Sequence, residues 1–217
     1  MARLTRMPAQ TALVCTISES TFTLTSHLGH PISAPRIQAL VDRIFPFYWR
    51  KNMSVGTIEE LFVDELKDLY SAEKQITKSL PKLAKAATSP ELKDTFESHL
   101  KETFGQIERL DRVFEILGKS PRGKVCNGMK GVLEEGAEVL EETEKGSTVR
   151  DAALISAAQR VEHYEMAGYG CVREYAKLLG QKEIAQLLDE TLSEEKAADS
   201  KLGQVAKQVN PAALQEA

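Results

Sequence analysis

From Phe62 onward, apolar residues recur along this chain in alternating steps of four and three. Phe62, Leu66, Leu69, Ile76, Leu80 and Leu83 fall on one face, the inward stripe of a packed helix. Thr57 and Glu60 stand three apart as a capping box, so the pattern predicts a first helix over about 57–87, with an irregularity at Pro81. Ser89-Pro90-Glu91 then offers an N-cap, a proline at the first helical position and an acid in the first turn. A second helix follows to Leu117, with Phe96, Leu100, Thr103, Ile107, Leu110, Phe114 and Leu117 inward and Gly118 and Pro121 as its stop. The Gly- and Glu-rich segment 122–147 holds a shorter helix around Val125–Glu144. Two more stripes carry Ile155, Ala158, Tyr169, Val172, Ala176 and Leu179, then Leu188, Leu192 and Leu202. They predict helices from about Thr148 to Leu179, ended by Gly180, and from Gln181 to Gln208, closed by Asn210-Pro211. No strand pattern appears anywhere.

Tight turns after the first and third long helices make two antiparallel hairpins, and the segment between the hairpins is a crossover. That layout is all-α: a ferritin-like four-helix bundle with a long crossover containing a short extra helix. It occupies residues 53–210. Residues 1–52 differ, with four of the eight prolines, the single tryptophan (Trp49) and no sustained helical period. Their acid-poor composition faintly resembles a transit peptide. The preferred reading is a disordered extension upstream of a natural start at Met53, which leads directly into the first capping box.

The stripes contain one anomaly. Glu73, Glu162, Glu165 and Glu195 occupy positions where the spacing calls for leucine. An unpaired carboxylate buried there costs several kcal/mol even after relaxation. Glu165 lies 15 residues before Gly180 and Glu195 lies 15 after it, while Glu73 and Glu102 sit at similar distances from the first turn. At about 1.5 Å rise per residue, all four helices bring acids to one level roughly 20 Å from the turns. His99 and Glu102 share a helical face, as do Glu162 and Glu165, and Asp199 follows Glu195 by one turn. Carboxylates with a few imidazoles suit iron or manganese. Two divalent ions would largely neutralise Glu73, Glu162, Glu165 and Glu195, with carboxylates bridging them at about 3.5–4 Å. The bland alternative pairs these acids with Lys or Arg or leaves them in a hydrated seam. It is weakened because no Lys or Arg occupies the stripe at that level. Within the candidate ligand set of Glu73, His99, Glu102, Glu162, Glu165, Glu195 and Asp199, two members are peripheral: Glu102 lies off the strict stripe and Asp199 faces inward in only one of two registers. His163 should point sideways, and Glu135 in the crossover is a weak extra candidate.

Charge narrows the partners. The net charge is −4, but residues 53–217 hold 22 basic and 30 acidic side chains. An acidic domain without a basic stripe argues against nucleic acid. No apolar run approaches the ~20 residues needed to cross a bilayer. Cys15, Cys126 and Cys171 follow no disulfide pattern, which points to a reducing compartment, the cytoplasm by default.

Several runs resemble a known family. The stretch from Glu60 to Gln75 (Glu-Leu-Phe-Val-Asp-Glu-Leu-Lys-Asp-Leu-Tyr-Ser-Ala-Glu-Lys-Gln) is similar to the start of the YciE/YciF-like stress proteins. So are His99-Leu100-Lys101-Glu102-Thr103, Val161-Glu162-His163-Tyr164-Glu165 and Leu192-Ser193-Glu194-Glu195-Lys196. The resemblance spans about Met53–Gln208. It implies a homodimeric ferritin-like bundle with a rubrerythrin-like dinuclear site. The ferritin-like pattern places Glu-x-x-His on two helices; here the second helix reverses that order, and Ala198 stands where the last helix would carry histidine. The leading functional expectation is a di-iron (or manganese) oxidoreductase of ferroxidase or peroxidase type, acting on oxygen or peroxide under stress. The alternative is a non-enzymatic helical stress protein that dimerises and binds metal weakly or not at all. Iron storage would require cage-forming contacts that the sequence does not show.

Overall fold

The computed structural model describes the backbone of Val14–Ser18 and Thr21–Thr25, and residues 55–216. The chain divides into two compact units, Met1–Ser54 and Val55–Ala217. In the first, β1 (Val14–Ser18) pairs antiparallel with β2 (Thr21–Thr25), Val14 opposite Thr25 and Ser18 opposite Thr21. This hairpin was not anticipated from the sequence, although Thr21-Phe22-Thr23-Leu24-Thr25 alternates with the period of a strand. The expectation that residues 1–52 are a disordered extension otherwise lies outside the described residues.

The second unit is all helical. Its caps set the boundaries: α1 spans Ile58–Ala86, α2 Pro90–Leu117, α3 Asn127–Glu142, α4 Thr148–Leu178 and α5 Lys182–Gln215. The capping box forms as the spacing predicts, with Thr57 Oγ1 accepting from Glu60 N–H and Glu60 Oε2 accepting from Thr57 N–H, both at 3.2 Å. Ser89 caps α2, and Gly118 closes it at φ 61°, a left-handed conformation that glycine adopts without steric cost.

One sequence expectation needs correction: α5 runs past Asn210-Pro211 to Gln215, whereas α1 continues through Pro81 to Ala86 as its expected span of 57–87 requires. Each proline deprives one carbonyl a turn earlier of its donor. Both prolines are exposed, and Lys207, whose carbonyl loses its partner in α5, is exposed as well, so water can satisfy what the helix cannot.

α1 and α2 pack as one hairpin and α4 and α5 as the other, with α3 lying against α1 and α4. Buried Asp151 on α4 accepts from Thr88 N–H at 2.8 Å and Ser89 N–H at 2.7 Å, which fastens the first turn to the opposite hairpin. The apolar core falls into two clusters. One gathers Ile76, Leu80, Phe96, Leu154, Val161 and Leu202; the other gathers Leu66, Leu69, Leu110, Tyr169, Val172 and Leu192. On all four long helices the switch from one cluster to the other falls at the anomalous polar positions.

Candidate metal centre

Each long helix contributes side chains to a polar layer between the two apolar clusters. α1 brings Glu73, α2 His99, α4 Glu162 and Glu165, and α5 Glu195, all buried to 5% exposure or less. His99, Glu162, Glu165 and Glu195 each offer a ligand atom lying within 4.8 Å of the others. Glu73 joins them through a close approach to Glu165. α1 and α4 can approach this closely because residue 168 is glycine; a Cβ there would stand 2.7 Å from Leu69 Cδ2.

These groups are poorly satisfied. Glu73 Oε2, Glu162 Oε2, both carboxylate oxygens of Glu165 and of Glu195, and both nitrogens of His99 are buried without a hydrogen-bond partner. Buried polar atoms are almost always paired, so this concentration of orphans is exceptional. No Lys or Arg of the described residues pairs with them. Glu194 takes Arg109, which also reaches Thr191 at 2.6 Å and Glu190 at 3.6 Å.

The electrostatics follow from crowding. Burial pushes Glu73 up from 4.5 to about 7, although the Tyr169 hydroxyl and His99 pull the other way. Glu165 and Glu195 are pushed well above the usual carboxylate range by burial, reinforced by neighbouring acids. Glu162 is raised by burial against the pull of His99. Burial lowers His99, but Glu102, Glu162 and Glu73 more than offset that, so it is held above its ordinary value.

The remaining candidates sit at the edge. Glu102 is 46% exposed, and its Oε2 faces His99 Nδ1 at 3.7 Å, which leaves Nε2 turned toward Glu162 Oε1 at 3.4 Å. Asp199 lies outside the cluster: Gln159 donates to it at 3.0 Å and His163 stands 3.5 Å away. Ala198 takes the inward position instead. His163 is exposed, as its sideways placement implies, and Glu135 forms a surface pair with Arg160 at 3.7 Å.

A sequence-family comparison matches residues 57–215 to DUF892, a domain of unknown function. The chain is a DUF892 protein. It is 53% identical over 156 residues to Protein YciF of Escherichia coli strain K12, covering 71% of this chain and 93% of YciF. The crystal structure of that E. coli stress protein matches with a TM-score of 0.70 at 49% identity, over 72% of this chain and 99% of the other. YcfI of Rhodopseudomonas palustris, for which a structural role has been suggested, matches at 0.67 with 44% identity, over 72% and 98% of the two chains. A protein of Xanthomonas campestris, 23% identical, shares the fold at 0.59, over 74% and 98%.

In this DUF892 protein the polar roles of Tyr169, Gln106 and Cys126 leave no mark in the sequence pattern. Tyr169, which the periodicity places among apolar positions, donates its hydroxyl to Glu73 Oε1. Gln106, also buried, donates to Glu194 at 3.2 Å. Cys126, unpatterned in the sequence, caps α3 by accepting from Met129 N–H at 3.3 Å and donates its thiol to Asp68 at 2.8 Å. Among the described residues no helix is long and apolar enough to cross a membrane.

Proposed function

We propose that Glu73, His99, Glu162, Glu165 and Glu195 hold two divalent cations, iron or manganese, and that the protein is an oxidoreductase of ferroxidase or peroxidase type. One observation carries this reading: six carboxylate oxygens and two imidazole nitrogens are buried together without a partner. Hard carboxylate donors with one imidazole form a donor set for these metals, and two divalent charges match four clustered carboxylates. When bound, such ions supply electrons to oxygen or peroxide.

The chain's own groups prepare the layer. Glu102 Oε2 stands 3.7 Å behind His99 Nδ1 while Nε2 faces Glu162, so Glu102 is placed to orient the ring once a metal draws Nε2 inward, as carboxylates do behind metal-bound histidines. Tyr169 holds Glu73 Oε1 and leaves Oε2 free. Glu165 and Glu195 present both oxygens. Apolar clusters on either side keep bulk water out. Asp199 falls outside this ligand set, and Glu102 acts on it from behind.

A role in stress is proposed with this activity by analogy with the E. coli stress protein YciF; a cytoplasmic homodimer is proposed beside it from the unpatterned cysteines and the family resemblance. The competing reading, a helical protein without catalysis, draws on the structural role suggested for YcfI. Anaerobic addition of ferrous iron to metal-free protein, followed by oxygen, separates the two. Saturable uptake with iron oxidation faster than in buffer supports the oxidoreductase; no uptake leaves the structural reading.

A further inference from the structure

Two cavities lie side by side where α3 covers α1 and α4. The outer one, about 60 Å³, is lined by Lys82, Val132, Gly136, Leu140 and Ala157 among others. The inner one, about 10 Å³, is lined by Ile76, Leu80 and Ala158 and reaches His99 and Glu162. Ser79, Leu83, Leu133 and Val161 belong to the walls of both. Separated only by these shared side chains, the two spaces lie in succession from beneath the crossover helix to the polar layer.

The walls decide what can travel along it. Gly136 and Ala157 face each other in the outer cavity, where even a Cβ on residue 136 would stand 3.5 Å from Ala157 Cβ, so no bulky side chain closes it. Among the described residues, Lys82 and Ser79 are the only polar side chains lining either space before His99 and Glu162. A charged solute would have to shed its hydration with nothing to replace it, and a hydroxyl would lose its hydrogen bonds. The inner volume is close to the ~10–15 Å³ minimum for a single water. The polarity of the walls therefore favours a small, uncharged, weakly hydrated molecule, and the inner side chains must part slightly to pass anything larger than water.

We propose that these cavities form the passage by which dioxygen reaches the carboxylate layer, and that they discriminate against hydrogen peroxide and metal ions. What dioxygen meets at the inner end rests on the metal-site reading; the passage itself does not. His99 and Glu162 are among the residues that line the inner cavity, so an arriving molecule would meet the site there. Metal ions, charged and hydrated, must arrive by another route. Hydrogen peroxide, with two hydroxyls to desolvate, is disfavoured here for the same physical reason.

Xenon is the probe for the passage, because apolar cavities bind it in the absence of any cofactor. In metal-free protein under xenon pressure, the methyl resonances of Leu133 and Val161 should shift saturably. Ser79→Phe, which fills the wall common to both cavities, should abolish that response. No shift in the wild type, or an unchanged shift in Ser79→Phe, overturns the passage. If Ser79→Phe does not fold, Leu133→Phe closes the same point from α3. In iron-loaded protein, Ser79→Phe should slow oxidation by oxygen at least tenfold and leave oxidation by added peroxide unchanged. Equal slowing of both overturns the discrimination, and no slowing overturns the passage. A wild type that takes up no iron sinks the metal-site reading alone, since the xenon response still decides the passage.

Discussion

Replacing Glu165 and Glu195 together by leucine puts the logic of the polar layer to a test of sign. Both carboxylates are almost completely buried, neither oxygen of either has a partner, and each is destabilised as an anion by burial and by nearby acids. Leucine has a similar size and is the residue that the stripe otherwise carries. Exchanging buried charge for packing of similar volume is worth about 1–4 kcal/mol in comparable cases. For a domain of this size that corresponds to roughly 2–4 °C of melting temperature per kcal/mol. The metal-free double variant should therefore melt higher than metal-free wild type. The folded-state values of both groups are raised, so wild type loses stability as pH rises and the variant's advantage should widen from pH 5 to pH 8. Thermal melts of both proteins after chelation read the answer. If these acids instead anchor buried ion pairs, removing them strands the cations at about 3–5 kcal/mol for each broken pair. A double variant that melts lower would refute the reasoning.

Other outcomes follow from single groups. Glu73 is shifted from 4.5 to about 7; its folded form binds the proton more tightly, so metal-free stability should fall by about 3 kcal/mol as pH rises through that window. Glu73→Gln should flatten this slope in melts taken between pH 4 and 8, and should weaken metal uptake. Saturation with metal at 100 times its Kd should add about 2.7 kcal/mol, visible as a higher melting temperature that a chelator reverses. Asp151→Ala removes the acceptor for two backbone N–H groups, so a loss of about 2–3 kcal/mol is expected in denaturant melts, with metal uptake unchanged.

Most of the helical architecture was legible because stripe, caps and breakers agree locally. Thr57 with Glu60, Ser89-Pro90 and Gly118 mark α1 and α2 to within a residue. The proline signal at Asn210-Pro211 ends α5 too early because the carbonyl deprived of its donor, that of Lys207, belongs to an exposed residue that water can satisfy. On α2 the spacing selected Leu100 as an inward residue, but Leu100 is only partly buried and His99 is buried. The stripe drifts by one residue at that level, and helical period alone cannot resolve a step that small. Acids in the stripe revealed the polar layer, since a charge at a leucine position is conspicuous. Tyr169 was hidden for the opposite reason: its ring satisfies the apolar pattern while its hydroxyl, a long-range partner of Glu73, leaves no local trace. Asp151 was invisible likewise, because it binds a turn more than 60 residues away in sequence.

The most direct measurement is the metal content of the protein after anaerobic reconstitution with ferrous iron and removal of unbound metal. Two ions per chain in wild type, with none retained by Glu165→Leu/Glu195→Leu, is the expected result. Wild type that retains no more metal than the double variant would contradict the assignment of the layer as a metal centre.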